Sequence, residues 1–233
     1  MNPERISYSD GGTALTGLLY RPKGKPRAAI LVYPTIMNQG GSVLDKAGSL
    51  AEHGYLAFVA DFYGKTPADF EQSREFAGEI RATPEDFRRR IRQAIAALVS
   101  LPEAEGLPLA AIGFCMGGYA VLELAREGAP LEAVVSFHGL LGTDLPAGKR
   151  KIAARILVCH GDADPMVPRS QVIGFWEEMD AAGADWHFHA YSGVKHGFTN
   201  PLAPPDNPAV GYDSSADRQS WAAMFELFDE VFG

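Results

Sequence analysis

Cys115 lies in the stretch Gly113-Phe114-Cys115-Met116-Gly117-Gly118, with a glycine two positions before it and two glycines just after Met116. A thiol does chemistry as a thiolate, so it needs a base close by, and the base needs a carboxylate to orient it. Six histidines compete for the first role: His53, His138, His160, His187, His189 and His196. Two acids, Asp162 and Asp164, share one Gly-bounded loop and compete for the second. Such a set would attack an electrophilic carbonyl or phosphoryl centre and pass through a covalent intermediate.

The sequence around each group narrows the choice. The apolar run 109–112 reads as a buried strand and 119–125 as a helix. Glycine-x-nucleophile-x-glycine between a strand and a helix is the nucleophile elbow of the α/β-hydrolase pattern, here with Cys in place of Ser. Gly113 and Gly117 meet the need for small neighbours at a strained turn. The helix N-terminus favours the thiolate, and the Met116 amide points where an oxyanion would develop. His196 follows the last strand in a Gly-flanked loop and completes the chain order nucleophile, acid, histidine. His138 ends another strand and is a candidate pocket wall, and His160 precedes a strand-end Gly as a structural residue. His187 and His189, two apart on one strand, share a face. Asp164 is the preferred acid; Asp162 is the alternative, expected to hydrogen-bond the turn backbone.

These residues must be positioned by a sheet. Residues 5–8 and 15–20 read as a hairpin closed at Asp10-Gly11-Gly12. The continuous apolar run 28–33 reads as a central parallel strand covered on both faces, and 55–60, 109–112, 133–137 and 156–160 read as further strands of that sheet. The segment 186–191 is the last strand. Helices are expected over 43–53, 69–81, 85–100, 119–125, 170–182 and 216–232, with Pro84 opening the third. Arg88, Arg89, Arg90 and Arg92 read as that helix's solvated face. Four prolines between 201 and 208 predict an irregular flap. Strands alternating with helices give a mostly parallel sheet with helices on both faces and an N-terminal antiparallel hairpin, in one domain over 1–233.

Composition excludes several classes of function. The net charge is −8, from 29 acidic and 21 basic residues, which argues against a nucleic-acid or anionic-membrane partner. No apolar run approaches the roughly 20 residues of a membrane helix, and the N-terminus lacks a signal-peptide layout. Two cysteines in strand-like runs fit a reduced, cytoplasmic setting. No HxxxH or CxxC spacing occurs, so neither a metal nor another cofactor is expected. The oligomeric state has no signature in the sequence.

The elbow, the loop Gly161-Asp162-Ala163-Asp164-Pro165-Met166-Val167-Pro168 and the stretch Gly193-Val194-Lys195-His196-Gly197-Phe198 together resemble the dienelactone hydrolase family over nearly the whole chain. The resemblance implies a Cys115–His196–Asp164 triad and an oxyanion hole from the amides of Met116 and Ile36. Two departures stand out. Family members that open dienelactone carry a Glu after the first central strand where this chain has Thr35, and an Arg after the catalytic His where it has Asn200. Arg74 is a candidate for a second carboxylate-binding Arg. A carboxylate that loses its guanidinium partner loses about 1.5–3 kcal/mol, so a neutral ester or lactone is the expected substrate. Pocket walls are expected among Tyr33, Met37, Phe62, Tyr63, Phe76, His138 and Phe198. Phosphotriester hydrolysis by the same triad is the alternative activity, and a ligand-binding scaffold without turnover is the non-enzymatic one.

Overall fold

The computed structural model describes residues 2–204 and 206–233. Pro205, one of the four prolines of the expected flap, and Met1 lie outside the described residues. The chain forms two compact units, 1–111 and 112–233.

In the first unit, β1 (Glu4–Asp10) and β2 (Thr13–Tyr20) form the antiparallel hairpin, with Asp10 opposite Thr13 across Gly11-Gly12. β2 pairs antiparallel with β4 (Leu56–Val59), which pairs parallel with β3 (Ala29–Tyr33), giving the order β1-β2-β4-β3. Every residue of β3 and β4 is buried, as unbroken Ala/Ile/Leu/Val runs require. Helix α1 (Gly41–Glu52) packs on β4, and Gly54 follows its end with φ +89°. α2 (Phe70–Arg81) starts at Asp69, whose side chain accepts the Gln72 amide. α3 (Pro84–Val99) carries Pro at its first position and packs on β1.

The expected solvated face of α3 is corrected at Arg90. Arg90 is largely buried and donates to Asp10, to the Phe62 carbonyl and to Thr13, while Arg89 also binds Asp10. Asp10 is itself buried, so its charge demands such partners.

β5 (Leu109–Phe114) runs from the first unit into the second. There the strand order is β5-β6-β7-β8, with β6 (Ala133–Phe137), β7 (Arg155–Gly161) and β8 (Trp186–Tyr191) mutually parallel. Helix α4 (Met116–Glu127) packs on β6, and α6 (Ser214–Phe232) on β6 and β7. α5 (Arg169–Ala182) lies between β7 and β8 in sequence and ends at Gly183 in the left-handed region. α4 is buried on all sides from Met116 to Arg126, which is why it is apolar around its circumference. Its two charged interior residues answer each other: Arg126 donates to Glu123, to Glu178 and to the Leu141 carbonyl.

Candidate active site

Cys115 occupies the single residue between β5 and α4, with φ +56° and ψ −113°. A non-glycine residue is held there only when its surroundings over-determine it. The Cys115 amide donates to the Phe137 carbonyl and to His138 Nδ1, both at 3.1 Å, and its carbonyl accepts the Tyr119 amide. A Cβ on Gly113 would lie 1.9 Å from the Gly117 carbonyl oxygen. A Cβ on Gly118 would lie 2.7 Å from Ser136 Oγ and 2.8 Å from Gly139 Cα. The close approach of α4 to the end of β6 therefore depends on Gly118 and Gly139, a pair that motif reading alone did not single out.

His196 is 4% exposed and Asp164 3%. Asp164 Oδ2 accepts from His196 Nδ1 at 2.7 Å, and Oδ1 accepts the Met166 amide at 2.8 Å. The carboxylate is thus fixed by its own loop before it fixes the ring. The His196 backbone is pinned on both sides, its amide donating to the Ala209 carbonyl and its carbonyl accepting the Gly211 amide. The second ring nitrogen, Nε2, is buried and makes no well-aligned hydrogen bond. The Cys115 sulfur nevertheless acts on this ring. Burial disfavours the imidazolium, but the bond to Asp164 and the pull of Cys115 outweigh it and lift His196 up to about 10.

Asp162 is directed elsewhere. It forms a two-pronged pair with Arg169 at 2.9 and 2.6 Å on the outside of the loop, rather than binding the turn backbone as expected. His160 is buried against Phe188. His187 and His189 line a cavity of about 240 Å³ with Leu157, Glu226, Leu227 and Glu230. No cluster of His, Cys, Asp or Glu among the described residues is arranged to hold a metal.

His138 and Phe198 are both buried. Phe198 packs edge-on beneath His138, at 5.3 Å, and against Tyr191, at 5.5 Å. Asn200 forms the turn after the base: its amide donates to the Gly197 carbonyl and its side chain accepts the Leu202 amide.

The other expected site residues belong to the first unit. Thr35 accepts the Met37 amide through its hydroxyl and the Asn38 amide through its carbonyl, so it builds the turn that carries Ile36. Tyr63 Oη donates to the Ile36 carbonyl at 3.1 Å. Arg74 is exposed on α2. Sequence reasoning missed Asn38 and Asp61, which lock this loop. Asn38, at φ +58°, donates to Asp61 Oδ1 and to the Lys65 carbonyl and accepts the Phe62 amide. Asp61 in turn accepts the amides of Thr16, Tyr63 and Gly64. The available signal was an Asn within a Gly-rich loop, a residue type enriched at positive φ.

Comparison with known proteins decides the family. The model of the dienelactone hydrolase family matches residues 15–232. The chain belongs to the dienelactone hydrolase family. As a family member it is a hydrolase of ester or lactone bonds. It is 35% identical, with a TM-score of 0.94, to a dienelactone hydrolase-like promiscuous phosphotriesterase, P91, from metagenomic libraries; the match covers 100% of this chain and 99% of that one. It is 38% identical over 149 residues to the Caenorhabditis elegans protein K02A2.1, spanning 61% of this chain and 92% of that protein. A dienelactone hydrolase from Anabaena variabilis, 19% identical with a TM-score of 0.70 over 99% of both chains, shares the fold. The architecture is therefore that of the α/β-hydrolases, a mixed and mostly parallel sheet with an N-terminal antiparallel hairpin. No helix among the described residues is long and apolar enough to cross a membrane.

Proposed function

We propose that this dienelactone hydrolase family member cleaves neutral carboxylic esters or lactones with Cys115 as nucleophile, His196 as base and Asp164 as the orienting acid. The observation that carries the reading is the buried 2.7 Å contact between Asp164 Oδ2 and His196 Nδ1, on a ring that also feels the Cys115 sulfur. His196 holds the proton taken from the Cys115 thiol, and the resulting thiolate attacks the carbonyl carbon to form a tetrahedral oxyanion. The amides of Met116 and Ile36 receive that charge; such donors are each worth about 10²–10³ in rate. The C–O bond then breaks as His196 returns its proton to the leaving alcohol. Water, deprotonated by His196, attacks the thioester and releases the acid and the thiol.

Neutral substrates are favoured because Asn200 takes the position where relatives that open dienelactone carry a carboxylate-binding Arg, and its side chain is engaged in its own turn. The expected pocket residues Met37, Tyr63, Arg74 and Phe198 stay part of this proposal, while His138, 2% exposed, bonds the Cys115 amide instead of lining the pocket. A single functional domain over 1–233 belongs to it too. A reduced, cytoplasmic setting, read from the sparse cysteine usage of the sequence, stays part of this proposal.

The reading is tested by Cys115→Ala. Turnover of p-nitrophenyl acetate should vanish, and mass spectrometry of the wild-type protein under slow-deacylation conditions should find one acyl group on Cys115. Retained turnover in the variant would refute it. Phosphotriester hydrolysis is the second reading, favoured by the likeness to the promiscuous phosphotriesterase. An aryl dialkyl phosphate assayed beside the ester separates the two.

A further inference from the structure

The geometry points to His138 as a positioning residue that locks the nucleophile's turn to the loop of the base, and it does so only as the neutral tautomer carrying its proton on Nε2. This rests on the proposed role of Cys115.

His138 follows β6 directly and is 2% exposed. Its backbone has φ +42°, an uncommon state for a residue with a Cβ, and its amide is anchored to the Cys159 carbonyl at 2.8 Å. That conformation places the ring between two loops. Nδ1 accepts the Cys115 amide at 3.1 Å. An amide N–H can only donate, so Nδ1 carries no proton. Nε2 must then hold the ring's proton, and it donates to Thr199 Oγ1 at 3.0 Å. Thr199 is also buried and sits three residues after His196, on the same loop. One imidazole thus bridges the elbow amide and the base loop. The His138 and His196 rings lie 5.2 Å apart and nearly edge-on. A second positive ring there would oppose the proton that His196 holds, which is a further reason for His138 to stay neutral.

The Cys115 turn is strained, and the amide that enters it is the group His138 holds. The bond to His138 is bent onto the same N–H that reaches Phe137, so losing it frees the turn to relax without unravelling β5. A small displacement of a nucleophile relative to its base is expensive: roughly 1 Å costs about a hundredfold.

The test uses the intact chain and three variants. His138→Phe keeps the bulk and removes both ring nitrogens. His138→Asn tolerates positive φ and offers an oxygen acceptor near the place of Nδ1. Thr199→Val removes the acceptor of the Nε2 proton. Two quantities are read: kcat and KM on a p-nitrophenyl ester, and the iodoacetamide alkylation rate of Cys115 in the native state, where fully buried Cys159 does not compete. The expected result for His138→Phe is a loss of about ten- to a hundredfold in kcat, with KM little changed and alkylation slowed in parallel. His138→Asn should restore most of both, and Thr199→Val should lose kcat to a lesser degree. Unchanged kcat and alkylation in a folded His138→Phe overturn the inference, as does a His138→Asn no better than Phe. If His138→Phe does not fold, an unchanged kcat in Thr199→Val overturns it alone. Turnover retained by Cys115→Ala would instead sink the underlying functional reading, a different result from any of these.

Discussion

Asp164 Oδ2 and His196 Nδ1 meet at 2.7 Å, with both residues almost wholly removed from solvent, while Asp162 two positions earlier turns outward to Arg169. Adjacent acids of the same type therefore have separate work, decided by which side of one loop each faces. Asp164→Asn should cut kcat by about 10³–10⁴, because an amide in that place favours the wrong ring tautomer. Asp162→Asn should leave kcat and the unfolding midpoint nearly unchanged, as the loss of an exposed ion pair does. Steady-state kinetics and denaturant unfolding of the two variants check the contrast; equal losses would remove Asp164 from its role.

The second expectation concerns protons. His196 is lifted from its ordinary 6.5 to about 10, against the effect of burial, by Asp164 and Cys115. Between those values the folded protein keeps a proton that the unfolded chain releases. Its contribution to stability is thus complete below 6.5 and fades as pH rises through about 10. Removing the sulfur removes part of the lift. An NMR titration of His196 should give a lower midpoint in Cys115→Ala than in the wild type, and an identical midpoint would contradict the coupling.

Gly118 offers a steric prediction. Its missing Cβ would meet Ser136 Oγ at 2.7 Å and Gly139 Cα at 2.8 Å, and the second of these is backbone. Gly118→Ala should cost about 1–3 kcal/mol or more and lower kcat by tilting the first turn of α4. Gly78, exposed on α2 with nothing within 4 Å of a built Cβ, is the control. Gly78→Ala should stabilise by about 0.5–1 kcal/mol. Thermal unfolding of both variants tests the opposite signs.

Arg126 gives a stability prediction away from the site. It is 1% exposed and satisfies Glu123, also 1% exposed, together with Glu178. Arg126→Met would leave the Glu123 carboxylate buried without its cation, at about 3–5 kcal/mol. Adding Glu123→Leu should recover part of that loss, because the fully buried carboxylate is then gone and only the part-exposed Glu178 is left without its cation. Chemical denaturation of the single and double variants measures the difference.

Much of this molecule was legible in the residues themselves. Unbroken apolar runs identified β3 and β4, because a strand covered on both faces has no polar side to alternate with. The glycines around Cys115 marked a turn that few other residues tolerate, and Asp69 and Pro84 marked helix starts because capping is local chemistry. Tertiary structure decided what depends on distant partners. Nothing within the run of arginines on α3 distinguishes Arg90 from Arg88; it took a buried Asp10 from the hairpin to draw Arg90 inward. Likewise His138 read as a pocket wall, and only its positive φ and the convergence of the Cys115 amide and Thr199 gave its two nitrogens separate partners. Periodicity and turn chemistry act over a few residues and so are written into the chain. The partner of a buried polar atom is chosen by the fold that buries it.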